Sequence, residues 1–359
     1  MTSEPHAKAL WHGRRVFVTG HTGFTGTWLC RVLLGWGASL MGYSLAPPSE
    51  PNLFDLTNLR DDLDHRDGDV RDLQGVARAM KAFDPHVVLH LAAQTLVLQS
   101  YREPVETFAT NVMGTVNVLE ALRATPSVEA CVIVTSDKCY ENRELDRGYR
   151  EDDPMGGSDP YSASKGCAEL VTNAFRKSFF AESGARVASA RAGNVIGGGD
   201  WADDRLVPDI ARALATETPL KLRHAGSIRP WQHVLEPVSG YLAVAERLLS
   251  GASDGGGWNF GPVDGDVWTV RDVVDGFFRE WGAEVPIQEL GASELTETRT
   301  LVLDSGLARR QLDWTSRWTV EEAVGASARW YRAFYADGGN ALALVERDLA
   351  AYFGGVDGE

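Results

Sequence analysis

Apolar residues in the first half of this chain alternate between short runs and helical stripes. "RVFVT" (15–19) is a short β-branched run. "GTWLCRVLLGWG" (26–37) follows, with Trp28, Leu29, Val32, Leu33 and Trp36 on one helical face and Gly37 placed to end the helix. "ASLMGYSL" (38–45) reads as a second strand, and Asp72 stands where it can cap a helix running to Phe83. "HVVLHLAA" (86–93) is a continuous apolar run bounded by Pro85, the pattern of a buried strand. A long helix falls within 103–123, a strand at 130–136, another long helix within 158–180 and a further strand within 185–197. This alternation predicts an α/β fold: a Rossmann-type doubly wound parallel sheet covered by helices on both faces.

After about residue 195 the rhythm breaks. "GGGD", "PLKLRHAGSIRPW" and "GASDGGGWNFGP" are loop-rich, and helical periods near 203–214 and 236–249 separate them. Further helical periods lie near 269–281, 304–312, 319–335 and 340–353. There is no repeat, low-complexity tract or long linker. The expected organisation is a dinucleotide-binding domain over 1–193, to which segments near 236–262 return. A smaller mixed α/β lobe, built from 194–235 and 263–359, is expected to hold the substrate.

Composition narrows the function classes. A chain of 359 residues with a net charge of -15 lacks the basic balance of a non-specific nucleic-acid binder, so no nucleic-acid partner is expected. Cys30, Cys131, Cys139 and Cys167 show no C-x-x-C spacing, and no His/Asp/Glu spacing implies a metal. The scattered thiols read as reduced. The first fifteen residues have no apolar signal run, and no stretch reaches the roughly 18 apolar residues of a membrane span. A cytoplasmic protein with no membrane partner is expected.

Two constellations carry chemistry. "VTGHTGFTG" (18–26) joins the first strand to the first helix, and its glycines follow G-x-x-G-x-x-G. Gly20 allows a sharp turn, Gly23 lets backbone N–H groups approach a pyrophosphate, and Gly26 lets the helix pack close to the sheet. After the second strand, where an acid often holds the ribose hydroxyls, stands Ser44, with no Arg or Lys to grip a 2′-phosphate; this position does not choose between NAD and NADP. Asp69, at the end of the third strand, either reaches the adenine or caps its loop.

The second constellation is "TSDKCYEN" (135–142) with "YSASK" (161–165). Tyr161 and Lys165 are four apart on a predicted helix and share a face. An ammonium beside a phenol favours the phenolate, and such a phenol can take a proton from an alcohol while the alcohol carbon gives hydride to a nicotinamide. Ser136 is placed to hydrogen-bond the same substrate oxygen. His90, in a buried strand, reads as a satisfied core histidine.

These stretches resemble the extended short-chain dehydrogenase/reductases, and within them the CDP-glucose 4,6-dehydratases. "GYSLAPPSEPNLF", "TNVMGTVNVLEA", "GYREDDPMGGSDPYSASKGCAELV", "ARAGNVIGGGDWADDRLVPDI" and "IRPWQHVLEPVSGYL" extend the likeness over nearly the whole chain. The resemblance implies NAD as cofactor and a nucleotide sugar as substrate. Tyr161, supported by Lys165 and Ser136, would take the proton of the sugar's 4-hydroxyl. Asp137 would be the acid that helps the 6-hydroxyl leave. Lys138 stands where dTDP-sugar dehydratases carry a Glu, and would serve at carbon 5 as a base or as a positive charge. Acting as a base requires a neutral amine, which burial beside Lys165 would favour. Asn111 matches a helix Asn that organises the active-site Lys through water.

The cofactor-binding set implied is Gly20, Thr22, Gly23, Phe24, Gly26, Ser44, Asp69, Val70, Leu91, Ala92, Ala93, Tyr161 and Lys165. The substrate-binding set is Gln94, Asn194, Arg205, Arg223, Arg229, Gln232, His233 and Glu297, with Arg229 the leading phosphate ligand. Thr95, Leu98, Leu145, Asp146, Arg147 and Thr296 depart from the family pattern and bear on which nucleotide or hexose is bound. The family pairs subunits through helices equivalent to 103–123 and 161–180, so a homodimer, or a tetramer built from it, is expected. The competing readings are an NAD-dependent 4-epimerase, a plain NADPH reductase and a dinucleotide sensor. Asp137 beside Lys138 argues against the first two, and an intact Ser136, Tyr161 and Lys165 against the third.

Overall fold

The computed structural model describes residues 4–181, 184–290, 300–336 and 338–354. Its centre is a sheet of seven strands: β1 (Arg15–Thr19), β2 (Ser39–Ser44), β3 (Asp64–Asp67), β4 (Val87–His90), β5 (Ala130–Val134), β6 (Arg186–Ala192) and β7 (Gly257–Phe260). Their order is β7-β6-β5-β4-β1-β2-β3, and every pair is parallel. The order reverses between β1 and β4, which opens a crevice beyond the carboxyl ends of these strands.

The strands read as continuous apolar runs because both faces are covered. Val16 and Val18, Val87 and Leu89, and Ala130 and Val132 enter one apolar cluster, while Phe17, Val88, Cys131 and Ile133 enter the other. Helices α1 (Phe24–Gly35) and α6 (Leu235–Leu249) cover the first face; α2 (Leu73–Phe83), α3 (Gly114–Arg123) and α4 (Pro160–Phe179) cover the second. The first cluster runs on without a break into α5 (Leu206–Ala215), α7 (Val270–Trp281) and α8 (Val320–Tyr335), so the second half of the chain shares the core of the first.

Two departures from the sequence reading matter for the site. The helix expected within 103–123 is interrupted: Pro104–Phe108 is α-helical, Ala109–Met113 forms a π turn, and α3 follows. Asn111 sits in that π turn, where the extra residue re-aims its side chain. The third strand stops at Asp67, so Asp69 lies in the loop beyond it.

The second half adds α7, α8 and three small strand pairs: 195–196 with 232–233, 228–229 with 268–269, and 220–222 with 287–289. At its base, Glu236 opens α6 and accepts the backbone N–H of Trp318 (2.8 Å), the N–H of Arg317 (3.0 Å) and the Tyr352 hydroxyl (2.8 Å). Burial pushes this carboxyl up to about 7, against the pull of those hydrogen bonds. A raised folded pKa stabilises the fold fully below the unfolded value, and that contribution is lost as pH rises through about 7. Glu236→Gln keeps the acceptor and removes the charge. It is expected to raise Tm by about 2–4 °C at pH 8 and to leave it nearly unchanged at pH 5, as read by calorimetry.

Candidate active site

The glycine turn is wedged against the end of β4. Gly20 has φ +78°, and a Cβ there would lie 2.7 Å from the Ala92 nitrogen. A Cβ on Gly26 would lie 2.1 Å from the Gly20 carbonyl oxygen, so only glycine lets α1 start this close to the turn. Gly23 is the N-cap of α1 and supplies no side-chain cap, whereas Asp72 caps α2 and Asp159 caps α4. The first-turn N–H groups of α1 are therefore left for an external acceptor, and Thr25 of that turn lines the crevice. This cradle fits a dinucleotide pyrophosphate.

Around it, the expected cofactor residues divide. Leu91 and Ala93 line the crevice with Tyr161 and Lys165. The Thr22 hydroxyl is 2.8 Å from that of Ser44 and donates to the Leu45 carbonyl, so this pair ties the turn to the end of β2. Asp69 is turned toward Arg71: it accepts the Arg71 N–H at 2.8 Å and its guanidinium at 2.6 Å. These hydrogen bonds hold the Asp69 carboxyl below its usual range. Val70 is buried against Gly114, where a Cβ would come within 2.7 Å of it.

The main cavity has a volume of about 430 Å³ and gathers Ser136, Asp137, Lys138, Tyr161 and Lys165 on its walls. The first three follow β5, and the last two face them from the first turns of α4. The Ser136 hydroxyl donates to Asp137 Oδ1 at 2.8 Å. Asp137 is 1% exposed, and its Oδ2 is buried without a partner. Lys138 Nζ is 3.8 Å from Asp137 Oδ1, and its side chain is 29% exposed. Lys165 donates to the Val134 carbonyl at 3.4 Å.

Burial brings Lys165 down to about 8, against the charge of Glu169. Tyr161 departs from expectation. Burial pushes its hydroxyl up to about 12; a hydrogen bond with Ser136 and the charge of Arg205 oppose the rise, and the charge of Asp137 adds to it. Within the protein, burial therefore outweighs the groups that would acidify this phenol.

Behind this row runs a chain of polar contacts. The Thr115 hydroxyl donates to the Asn111 carbonyl at 2.7 Å, so it accepts from His90 Nε2, and His90 Nδ1 is left to accept from Thr19. Burial holds His90 down at about 3, so it is the neutral core histidine expected. The Asn111 side chain donates to the Gln94 carbonyl and to Ser164 (2.9 Å each) and accepts the Gln94 N–H at 2.8 Å. The side chain is therefore a clamp between the loop after β4 and α4.

Three expected substrate residues make contacts within the protein. The Gln94 side chain folds back onto Leu96 and Thr107 and does not line the cavity, because its own loop consumes both ends of the amide. Gln232 is 2% exposed and donates to the Phe260 carbonyl, joining the 232–233 strand to β7. His233 lies between the rings of Trp28 and Trp318, at 5.7 and 4.7 Å, and burial holds it down at about 3. Asn194, Arg205, Arg223 and Arg229 do line the cavity, and Asn194 Oδ1 is buried without a partner. Arg205 is paired with Asp200 and donates to Thr95, and Arg223 is paired with Asp204. Glu297 and Thr296 lie outside the described residues. Tyr140, Trp231 and Tyr241 also line the cavity and escaped the sequence reading. Tyr241 lies inside an apolar helix with no local signal, while Tyr140 stands two residues after the reactive row.

A protonated phenol facing a serine across a dinucleotide crevice, with a lysine one helical turn behind it, is the arrangement of the short-chain dehydrogenase/reductases. Within that class the chain belongs to the GDP-mannose 4,6 dehydratase family, which matches residues 17–326. It is 48% identical over 351 residues to a CDP-glucose 4,6-dehydratase of Salmonella typhimurium, covering 96% of this chain and 98% of that one. Among solved structures, a UDP-glucose 4-epimerase of Thermus thermophilus in complex with NAD is 26% identical, with a TM-score of 0.75 over 89% of this chain and 99% of that one. A dTDP-glucose 4,6-dehydratase of Streptomyces venezuelae has the same fold at 23% identity, with a TM-score of 0.77 over 89% of this chain and 97% of that one.

The Asn111 clamp has a direct test. Asn111→Leu leaves the Gln94 N–H and carbonyl buried without their partner. It is expected to lower stability by roughly 2–3 kcal/mol in urea unfolding.

Proposed function

We propose that this protein is an NAD-dependent nucleotide-sugar 4,6-dehydratase that converts CDP-glucose, or a closely related nucleoside-diphosphohexose, to the 4-keto-6-deoxy sugar. Bound NAD supplies the hydride acceptor for carbon 4 and the hydride returned to carbon 6, and its nicotinamide carries the positive charge that Tyr161 needs. Tyr161 removes the proton of the 4-hydroxyl, with Ser136 sharing that oxygen. Lys165, buried one turn away, adds its charge. The 4-ketone acidifies the proton on carbon 5, which leaves to Lys138 or under the stabilising charge of Lys138, and a proton returns to carbon 5 as hydride reaches carbon 6. Asp137 protonates the departing 6-hydroxyl.

The observation that carries this reading is the Asp137 carboxylate. It is almost fully buried in the wall that holds Ser136 and Lys138, with one oxygen unpartnered. A 4-epimerase returns hydride to carbon 4 and has no use for an acid there. The 48% identity to a CDP-glucose 4,6-dehydratase supports the same substrate, and the bound NAD of the Thermus relative supports the cofactor. Arg229, Arg223, Arg205 and Asn194, which share the cavity, are the proposed contacts for the nucleotide's phosphates and sugar. The proposed division of labour places the dinucleotide on the first 193 residues and the nucleotide sugar on the lobe built after them.

The cysteines are free thiols, three of them buried, which suits a reducing cytoplasm. Among the described residues no helix is long and apolar enough to cross a membrane. A homodimer is proposed on exposed apolar side chains of the two long helices, Val105 (78%), Met113 (52%), Leu170 (59%) and Phe179 (46%).

Incubation with CDP-glucose, followed by mass spectrometry, is expected to show loss of one water; an epimer of unchanged mass would overturn the reading. Asp137→Asn is expected to slow water loss by about a hundredfold or more while NADH absorbance still appears transiently. Lys138→Met distinguishes proton transfer at carbon 5 from charge stabilisation through solvent exchange of the C5 proton. Val105→Glu with Leu170→Glu is expected to yield a monomer in light scattering.

A further inference from the structure

One buried ion pair grips both ends of the reactive row. Glu169 lies one helical turn after Lys165 on α4, and Arg191 is on β6; their side chains are 5% and 6% exposed and meet at 2.7 Å. Glu169 accepts from the Thr135 hydroxyl at 2.5 Å and from the Ser189 hydroxyl at 2.7 Å. Arg191 donates to the Tyr140 hydroxyl at 2.7 Å and to the Glu151 carbonyl at 3.2 Å. Thr135 immediately precedes Ser136, and Tyr140 stands two residues after Lys138. Tyr140 in turn donates to Asn259 Oδ1 on β7 at 2.6 Å and stacks on Tyr149 at 5.2 Å. Gly257 makes room for the guanidinium, since a Cβ there would lie 2.4 Å from Arg191 Nη2.

Buried ion pairs contribute little net stability, because desolvation offsets the attraction. Their directional bonds nevertheless fix geometry, and here those to Thr135 and Tyr140 run to residues flanking the reactive row. We propose that Glu169 and Arg191 are positioning residues: they hold Thr135 and Tyr140 so that Ser136, Asp137 and Lys138 face Tyr161, and Glu169 also holds charge on Lys165. The kinetic part of this inference rests on the dehydratase reading.

The second role follows from what faces Lys165. His90 approaches from β4, Cys139 from the turn after β5, and Glu169 from α4 itself. Burial holds His90 neutral and pushes the Cys139 thiol well up, so of these three Glu169 alone is charged. Burial raises the Glu169 carboxyl, but the charge of Arg191 and the hydrogen bonds from Arg191, Thr135 and Ser189 more than reverse this. Removing that negative charge lets Lys165 lose its proton below about 8.

The test is the double variant Thr135→Val/Tyr140→Phe, which removes both hydroxyls and leaves the ion pair and the reactive side chains in place. With CDP-glucose, kcat is expected to fall about tenfold or more while KM stays within about twofold. Thr135→Ser, which restores a hydroxyl, is expected to keep kcat near wild type. Glu169→Gln is expected to move the alkaline limb of the kcat profile to lower pH; if that variant does not fold, the double variant decides. Hydrogen exchange of the 135–142 peptide in the double variant is expected to quicken about fivefold or more. An unchanged kcat, or kcat and KM shifting together with no effect of Thr135→Ser, overturns the proposal. Should the wild type convert no nucleotide sugar, the dehydratase reading fails by itself. The exchange result then decides the positioning claim: unchanged exchange at 135–142 overturns it, and faster exchange upholds it.

Discussion

The carboxylate of Glu169 joins the three elements on which the chemistry stands. It is part of α4, which carries Tyr161 and Lys165; it accepts from Thr135 at the end of β5; and it is paired with Arg191 of β6. Taking away one partner of such a pair leaves a charge buried alone, which typically costs about 3–5 kcal/mol. The cavity wall therefore inherits its shape from an interaction that touches no substrate. The glycine turn complements it from the other side, where backbone rather than side chains sets the distance between α1 and β4.

Electrostatics within the cavity differ from those of the whole chain. The net charge is -15, yet Arg205, Arg223 and Arg229 share the cavity. Arg205 is paired with Asp200, and Arg223 with Asp204. In the proposed reading a diphosphate must draw these guanidinium groups from carboxylates, so binding is an exchange of partners and not a simple gain of charge.

The sheet, the covering helices and the glycine turn were legible because each rests on local pattern: apolar runs, helical stripes, and a strand–turn–helix with its glycines in step. Tyr161 and Lys165 were legible for the same reason, since four residues on a helix share a face whatever surrounds them. Gln94, Gln232 and His233, expected as substrate contacts, are engaged in the protein's own packing. They stand in stretches that do border the cavity, but a recognisable stretch preserves its braces as well as its ligands. Gln94 spends its amide on its own loop, Gln232 on β7, and His233 is enclosed by Trp28 and Trp318.

By itself the amino-acid order determined the layered α/β architecture, the glycine turn and the shared helical face of Tyr161 and Lys165, because hydrophobic period, glycine spacing and helical spacing act over a few residues. Only the tertiary structure decided where each long-range polar group turned. Asn111, in the π turn, met Gln94 across 17 residues, and Arg191 met Glu169 and Tyr140 from sequence distances of 22 and 51 residues. A buried donor or acceptor takes whatever partner the packed chain brings within about 3 Å, and that partner is set by which strands and helices become neighbours.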